Sequence, residues 1–252
     1  MSTIDFGHQS YRDLLTFVLG LGRPIVAFRD VPSAGPFAIL RHDIDFSIAK
    51  AVEMARLDSS LGARSTFFVL LTTPYYNPLD EENLPRLRSI IDLGHEIGLH
   101  VDCSGFGGLT PGEQLERVRA QATCLEAHLG VKIGSIAQHK PTAARTRPEF
   151  PGYVDAYSKP FFSDIGYISD SRMMFRVPDV RGFFRQHERC QLVLHPVWWH
   201  NTPKTRAQIL DELKLGLADQ FARMIDDEHR IILDFLATYV PYRPAQTGPD
   251  KA

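Results

Sequence analysis

The feature that most constrains this chain is a rhythm. From residue 37 onward, short apolar runs alternate with longer stretches whose apolar residues recur at helical spacing. Residues 37–40, 65–71, 96–101, 132–138, 167–169 and 191–194 read as strands. The second of these, STFFVLL, is apolar nearly throughout, as a strand buried on both faces must be. Between the strands lie helices with recognisable ends. Ser47 is placed to cap a helix reaching about Leu61, with Ala51, Met54, Ala55 and Leu57 facing inward and Gly62 as the stop. Residues 81–93 form a second helix, ended by Gly94. Thr110-Pro111-Gly112-Glu113 has the form of a capping box with proline at the first helical position, and it opens a third helix that Gly130 stops. Strand and helix alternating at this pace imply βαβ units and a mostly parallel sheet. In one continuous domain of 252 residues that favours a barrel-like α/β fold, whose sites gather at the carboxyl ends of the strands.

The flanks read less regularly. Residues 10–21 form an amphipathic helix, followed by a strand at 25–28, so residues 1–35 are an N-terminal helical extension of the single domain 1–252. Residues 141–164 are rich in Pro and Gly and read as irregular. A long helix is expected over 205–224, another apolar segment over 231–240, and a flexible tail over 243–252.

Composition removes several function classes. Lys and Arg number 28 against 30 Asp and Glu, a formal charge of -2. No basic excess is available for nucleic acid or for an anionic membrane surface. The three cysteines, Cys103, Cys124 and Cys190, are odd in number and far apart, which is neither a disulfide framework nor a CxxC metal site. They read as neutral thiols in a reducing compartment. The N-terminal MSTIDFGHQSYRD lacks a charged region followed by an apolar run, and no stretch approaches about 18 apolar residues. The expectation is a cytoplasmic protein without membrane insertion. Its oligomeric state is left open.

Five of the strand ends carry His or Asp. After FAIL comes Arg41-His42-Asp43-Ile44-Asp45. Strand side chains alternate, so Asp43 and Asp45 point to one side and His42 to the other. Two carboxylates that close require a cation or a shared proton. Their competing role, capping the next helix, is already filled by Ser47. In His95-Glu96-Ile97-Gly98-Leu99-His100-Val101-Asp102, His100 and Asp102 share one face, while His95 lies on the other and reads as structural. A His at a strand end facing neighbouring carboxylates suits zinc or iron. The remaining ends are Gln138-His139-Lys140-Pro141, then Asp170-Ser171-Arg172, then His195-Pro196-Val197-Trp198-Trp199-His200. Each is weak alone, and recurrence is what gives them weight.

These residues resemble the polysaccharide deacetylase family, the NodB-homology or carbohydrate esterase type, and most closely its branch found in O-antigen and capsule gene clusters. The carriers are LRHDID, STFF, GHEIGLHVD, HKP and LHPVWW in that order, spanning about residues 37–200. The resemblance implies a distorted (β/α)7 barrel with one divalent metal, zinc by default and cobalt, iron or nickel as the alternatives. It implies Asp43 as general base and Asp45 as metal ligand. His100 matches the first histidine of the family's HxxxH motif, but the second position is Ser104. His139, Asp102 and Asp170 are the candidates for the vacated ligand place, with His139 preferred because imidazole restores the usual set. The family's Arg that orients the base has Lys140 or His139 in its neighbourhood. His195 takes the place of the general acid, and Trp198 and Trp199 offer faces to a sugar ring, with Lys140 and Asp170 beside them. The implied activity is hydrolysis of an N-acetyl group on a sugar of surface polysaccharide assembly, met as a nucleotide sugar or a lipid-linked intermediate. Two other readings stay open: a C–N hydrolase of a small amide, as in allantoinase-like relatives, and a non-catalytic carbohydrate-binding relative.

Overall fold

The computed structural model describes residues 4–141 and 148–239. The chain divides into two compact units, Met1–Arg206 and Ala207–Ala252.

Among the described residues, the first unit holds eight strands, all paired in parallel. They are β1 (Ile25–Val26), β2 (Phe37–Ile44), β3 (Thr66–Leu70), β4 (Glu96–Asp102), β5 (Ser135–His139), β6 (Val154–Asp155), β7 (Gly166–Ser169) and β8 (Arg189–Leu194). Seven of them run in the order β6-β5-β4-β3-β2-β8-β7, and β1 pairs with the start of β2. Connecting helices are α1 (His8–Gly20), α2 (Ile48–Ser60), α3 (Asn83–Asp92), α4 (Pro111–Leu129), α5 (Lys159–Phe162) and α6 (Val180–Gln186).

This seven-strand parallel path is the expected distorted (β/α)7 barrel, and its curl follows from contacts. In a flat sheet, five strand spacings of about 4.8 Å would set β8 about 24 Å from β6. Instead Gln191 of β8 donates from Nε2 to the carbonyl of Ala156, just past β6, at 2.9 Å. The interior so enclosed is filled by Phe28, Phe37, Ile39, Phe68, Ala137 and Ala156. Gly98 makes that filling possible, because a Cβ there would lie 2.5 Å from the Phe68 ring. The barrel is therefore packed below, and open for chemistry only at the strands' carboxyl ends.

The local signals largely held. Ser47 caps α2 by accepting from the Lys50 N–H, and Thr110 with Glu113 forms the capping box of α4, which ends at Gly130 with φ 70°. The N-terminal region is tied to the sheet through β1, and Tyr11 of α1 donates to the Asp58 carboxylate of α2. Three elements were not foreseen. A two-residue β6 and the short α5 lie inside the stretch read as irregular, and α6 lies in a stretch given no assignment. Strand β2 also runs four residues longer than its apolar core, so Asp43 sits within it.

The second unit belongs to α7 (Arg206–Thr238), one unbroken helix where a helix and a separate apolar segment were expected. The charged stretch between them is helix-compatible: Arg230 pairs with Asp227 at i,i+3. The expected tail at 243–252 lies outside the described residues. Among the described residues, no helix is long and apolar enough to cross a membrane.

Candidate active site

Parallel pairing sends every strand's carboxyl end to one rim. β2 delivers Asp43 and Asp45, β4 delivers His100, β5 delivers His139, and the turns after β7 and β8 deliver Asp170 and His195. Curling then brings groups from these separate strands within reach of one another.

Asp43 is held from its own strand. Arg41 lies two residues earlier on the same face, and its Nε and Nη2 donate to the two Asp43 oxygens at 2.7 and 2.8 Å. Arg41 is itself fully buried, donating further to Gln191 Oε1 at 3.2 Å and to Tyr157 Oη at 3.1 Å. Its guanidinium lies over the Tyr157 ring, 4.6 Å from the centroid. Burial by itself would raise the Asp43 pKa, but the Arg41 charge outweighs it and holds the carboxyl below its ordinary value. Asp43 is thus a fixed carboxylate at neutral pH. The cation that grips Asp43 is Arg41, whereas Lys140, one of the two residues expected in that neighbourhood, is exposed at the cleft mouth. A sequence signal existed: Arg41 and Asp43 are i,i+2 on one strand face.

Beside Asp43, three ligand-type atoms converge. Asp45, His100 and His139 each offer one, and these lie within 4.8 Å of one another. His100 Nε2 is 3.4 Å from Asp45 Oδ1, and His139 Nδ1 is 3.2 Å from it. His100 Nδ1 is bonded to the Ala137 carbonyl at 2.8 Å, which places its proton there and turns Nε2, as a lone pair, toward the carboxylate. Asp45 Oδ1 is buried and has no hydrogen-bond donor meeting it in proper geometry. Burial raises the pKa of Asp45, and the two histidines more than reverse it, leaving the carboxyl far below its ordinary value. His139 Nδ1 also lies within hydrogen-bond distance of His100 Nε2, at 3.2 Å, so a carboxylate oxygen and two imidazole nitrogens converge on one point. Such a set fits a divalent cation such as zinc. Of the three candidates for the place vacated at Ser104, the structure brings His139 to this cluster. Asp102 instead accepts from the Ser104 N–H at 2.9 Å, and Asp170 serves another residue. Ser104 is exposed.

On the other side of Asp45 stands His195, with Nε2 3.9 Å from Asp45 Oδ2. Its Nδ1 is bonded to Asp170 Oδ1 at 2.6 Å, and its backbone N–H also donates to Asp170. Trp199 Nε1 donates to the other Asp170 oxygen at 2.9 Å. Burial disfavours the imidazolium, but the Asp170 carboxylate reverses this and the His195 pKa is pushed up to about 9. Two expectations are corrected by this geometry. Asp170 and Trp199 are both fully buried, behind His195, so neither can face a sugar. Their work is to orient the imidazole.

These groups form the floor of a cleft of about 780 Å³. Trp198 lines it, as do Tyr157, Phe162 and Tyr167, and Lys140, Arg172 and Arg176 also line it. Trp198 Nε1 is buried without a partner.

No family model matches the chain, and no curated protein matches it. Solved structures similar to it include the chitin deacetylase of the fungal pathogen Colletotrichum lindemuthianum, at 15% identity over 77% of this chain and 86% of that one, with a TM-score of 0.43. Another is the Xyl-CE4 domain of a multidomain xylanase from the hindgut metagenome of Trinervitermes trinervoides, at 15% identity, 74% and 85% coverage, and a TM-score of 0.43. A third is a CE4 family pseudoenzyme from Bacillus anthracis, at 14% identity and a TM-score of 0.42, where the match takes in 76% of this chain and 66% of that one.

Proposed function

We propose that this chain is a metal-dependent hydrolase that removes the N-acetyl group from a sugar. One observation carries the reading: a carboxylate held ionised by a buried Arg lies beside three converging ligand atoms, across from a His–Asp pair. Asp45, His100 and His139 would hold the ion, and their N, N, O donor set favours zinc. When bound, such an ion supplies Lewis-acid polarisation of the acetyl carbonyl and acidification of water.

The chain's own residues do the rest. Asp43 takes a proton from the water that attacks the acetyl carbon. Arg41 keeps that carboxylate charged and aimed. His195, protonated at neutral pH, gives a proton to the sugar nitrogen as the C–N bond breaks, so acetate and a free amine leave. Asp170 fixes which ring nitrogen of His195 faces the cleft. Trp198 offers an apolar edge to the sugar. Assembly of a surface polysaccharide such as O-antigen is the setting, and a nucleotide sugar or lipid-linked intermediate the form of substrate, that the resemblance implies.

The test is acetate release from N-acetylated sugars by protein whose metal content is measured beforehand. The expected result is stoichiometric zinc and acetate produced together with free amine. Ring opening of a small cyclic amide, or ammonia from a primary linear amide, without acetate release would replace this reading with that of an amide hydrolase. Failure to bind zinc, cobalt or iron would remove it.

A further inference from the structure

We propose that the substrate carries a phosphate group, and that Lys140, Arg172 and Arg176 hold it at the mouth of the cleft. The proposal deepens the hydrolase reading and rests on it for which end of the substrate reacts.

The ionisable lining of the cleft is sorted by depth. Asp43, Asp45, His100, His139 and His195 lie low, whereas Lys140, Arg172 and Arg176 are exposed. Asp43 and Asp45 are the acidic side chains among the described lining residues, and both are already committed, one to Arg41 and one to the two histidines. The mouth is therefore positive on a chain whose formal charge is -2. Such a patch attracts anions into the cleft.

The cations are not used up elsewhere. Surface arginines of this chain commonly pair with a carboxylate, as Arg86 does with Glu82 and Arg119 with Glu116. Among the described residues, neither Arg172 nor Arg176 forms an ion pair. Lys140 acts on Asp102 only through its longer-range field.

The backbone adds a second, independent observation. Four described non-glycine residues have positive φ, and two of them are cleft cations: Lys140 at 46° and Arg172 at 62°. Glycine or asparagine fits that conformation with least strain, and a long cation does not. The turn is held by its own bonds, Ser171 N–H to Ser169 Oγ at 3.1 Å and Arg206 Nη1 to the Arg172 carbonyl at 2.9 Å. Strain retained at the lip of a cleft is a mark of ligand clamps.

The count of charges selects the anion. A carboxylate is satisfied by one bidentate arginine. Three cations, drawn from the turns after β5 and β7, suit a group with two negative charges spread over three or four terminal phosphate oxygens. A sugar phosphate, a nucleoside diphosphate sugar and a lipid diphosphate sugar all present that chemistry.

Calorimetric titration of the purified, metal-loaded chain decides it. The probes are N-acetylglucosamine, N-acetylglucosamine 1-phosphate, UDP-N-acetylglucosamine, a short polyprenyl diphospho-N-acetylglucosamine and an N-acetylated hexosaminuronic acid. At 50 mM NaCl the phosphate-bearing probes should bind at least about tenfold tighter than the neutral sugar, with most of the advantage lost at 0.5 M NaCl. The double variant Arg172→Gln, Arg176→Gln should lose that advantage while its Kd for the neutral sugar and its melting temperature stay put. The tightest of the three phosphate probes names the source of the group. Equal binding of neutral and phosphorylated sugars, a uronic acid that binds best, or a double variant that keeps the preference overturns the proposal. Acetate release is scored separately. Release from neutral sugars without phosphate preference leaves the hydrolase reading standing alone, and phosphate-dependent binding without acetate from any probe does the reverse.

Discussion

Strand β2 feeds two buried polar groups, one on each face, and they are built from similar residues toward opposite ends. On the outer face, Asp58 of α2 accepts from Tyr11 Oη, from His42 Nε2 at 2.9 Å and from Ser65 Oγ at 2.7 Å. His95 completes the group: Ser65 N–H donates to its Nδ1 at 3.2 Å, and its Nε2 donates to the Ala55 carbonyl at 2.9 Å. Burial holds the His95 pKa below its ordinary value, which keeps it the neutral acceptor that Ser65 needs. Donors there meet acceptors apart from His42 Nδ1, which is sealed from solvent, and Asp58, His42, Ser65 and His95 are all fully buried. On the inner face, Asp45, His100 and His139 bring three ligand-type atoms together beneath an open cleft, and Asp45 Oδ1 is left without a hydrogen-bond donor. The first arrangement fastens α1, α2, β2, β3 and β4 together. The second is incomplete without something from outside. Histidine and aspartate in a buried cluster therefore do not mark chemistry by their presence. Unmet hydrogen-bonding capacity within reach of solvent does.

Four variants test this contrast. The largest effect belongs to the inner face. Asp43→Asn should lower kcat/KM of the folded fraction for acetate release by about 10²–10⁴ and lower the urea midpoint as well, since it removes the proton acceptor and leaves the buried Arg41 charge without its counter-ion. A loss below tenfold would break the assignment of Asp43 as base. On the outer face, Asp58→Ala strands three partners at once and should cost about 3–5 kcal/mol in urea denaturation, while the folded fraction keeps its turnover. A loss of turnover without loss of stability would mean that the two faces are not separate in role. Arg41→Lys retains the charge but loses the two-pronged grip, so kcat should fall by about 10²-fold. Its pH profile supplies the sharper readout. Arg41 holds the Asp43 pKa down, so a weaker grip lets it rise, and the acid limb of kcat/KM should move to higher pH. A reduced rate with an unmoved limb would assign Arg41 to packing alone. The smallest effect is Tyr11→Phe, which deletes one donor to Asp58 and should cost about 1–3 kcal/mol with activity unchanged, as read by thermal and urea melts.

How much of this was legible follows from the range over which each signal acts. The alternation of strands and helices, the Ser47 cap and the Thr110 capping box are short-range patterns, and they placed most elements within a few residues. Alternation along β2 also separated Asp43 and Asp45 from His42, and the HEIGLH alternation assigned His95 a structural place. Trp199 and Asp170 went astray because a residue beside a cleft and one behind it look alike in sequence. Only packing against Phe6 and Tyr11 shows that the Trp199 ring is spent in the core. Arg41 was quoted within a motif yet given no task, since its partners Gln191 and Tyr157 lie 150 and 116 residues away.

The amino-acid order by itself determined the parallel α/β architecture, the rim on which polar side chains collect, and the face of β2 each one occupies. Those properties depend on periodicity and on caps, which neighbouring residues impose on each other. The tertiary structure alone decided that His139 joins Asp45 and His100, that Gln191 and Tyr157 hold the Arg41 guanidinium, and that Asp170 stands behind His195. Each of those depends on strands and turns far apart in the chain being brought together, as Gln191 of β8 reaching the Ala156 carbonyl beyond β6 shows.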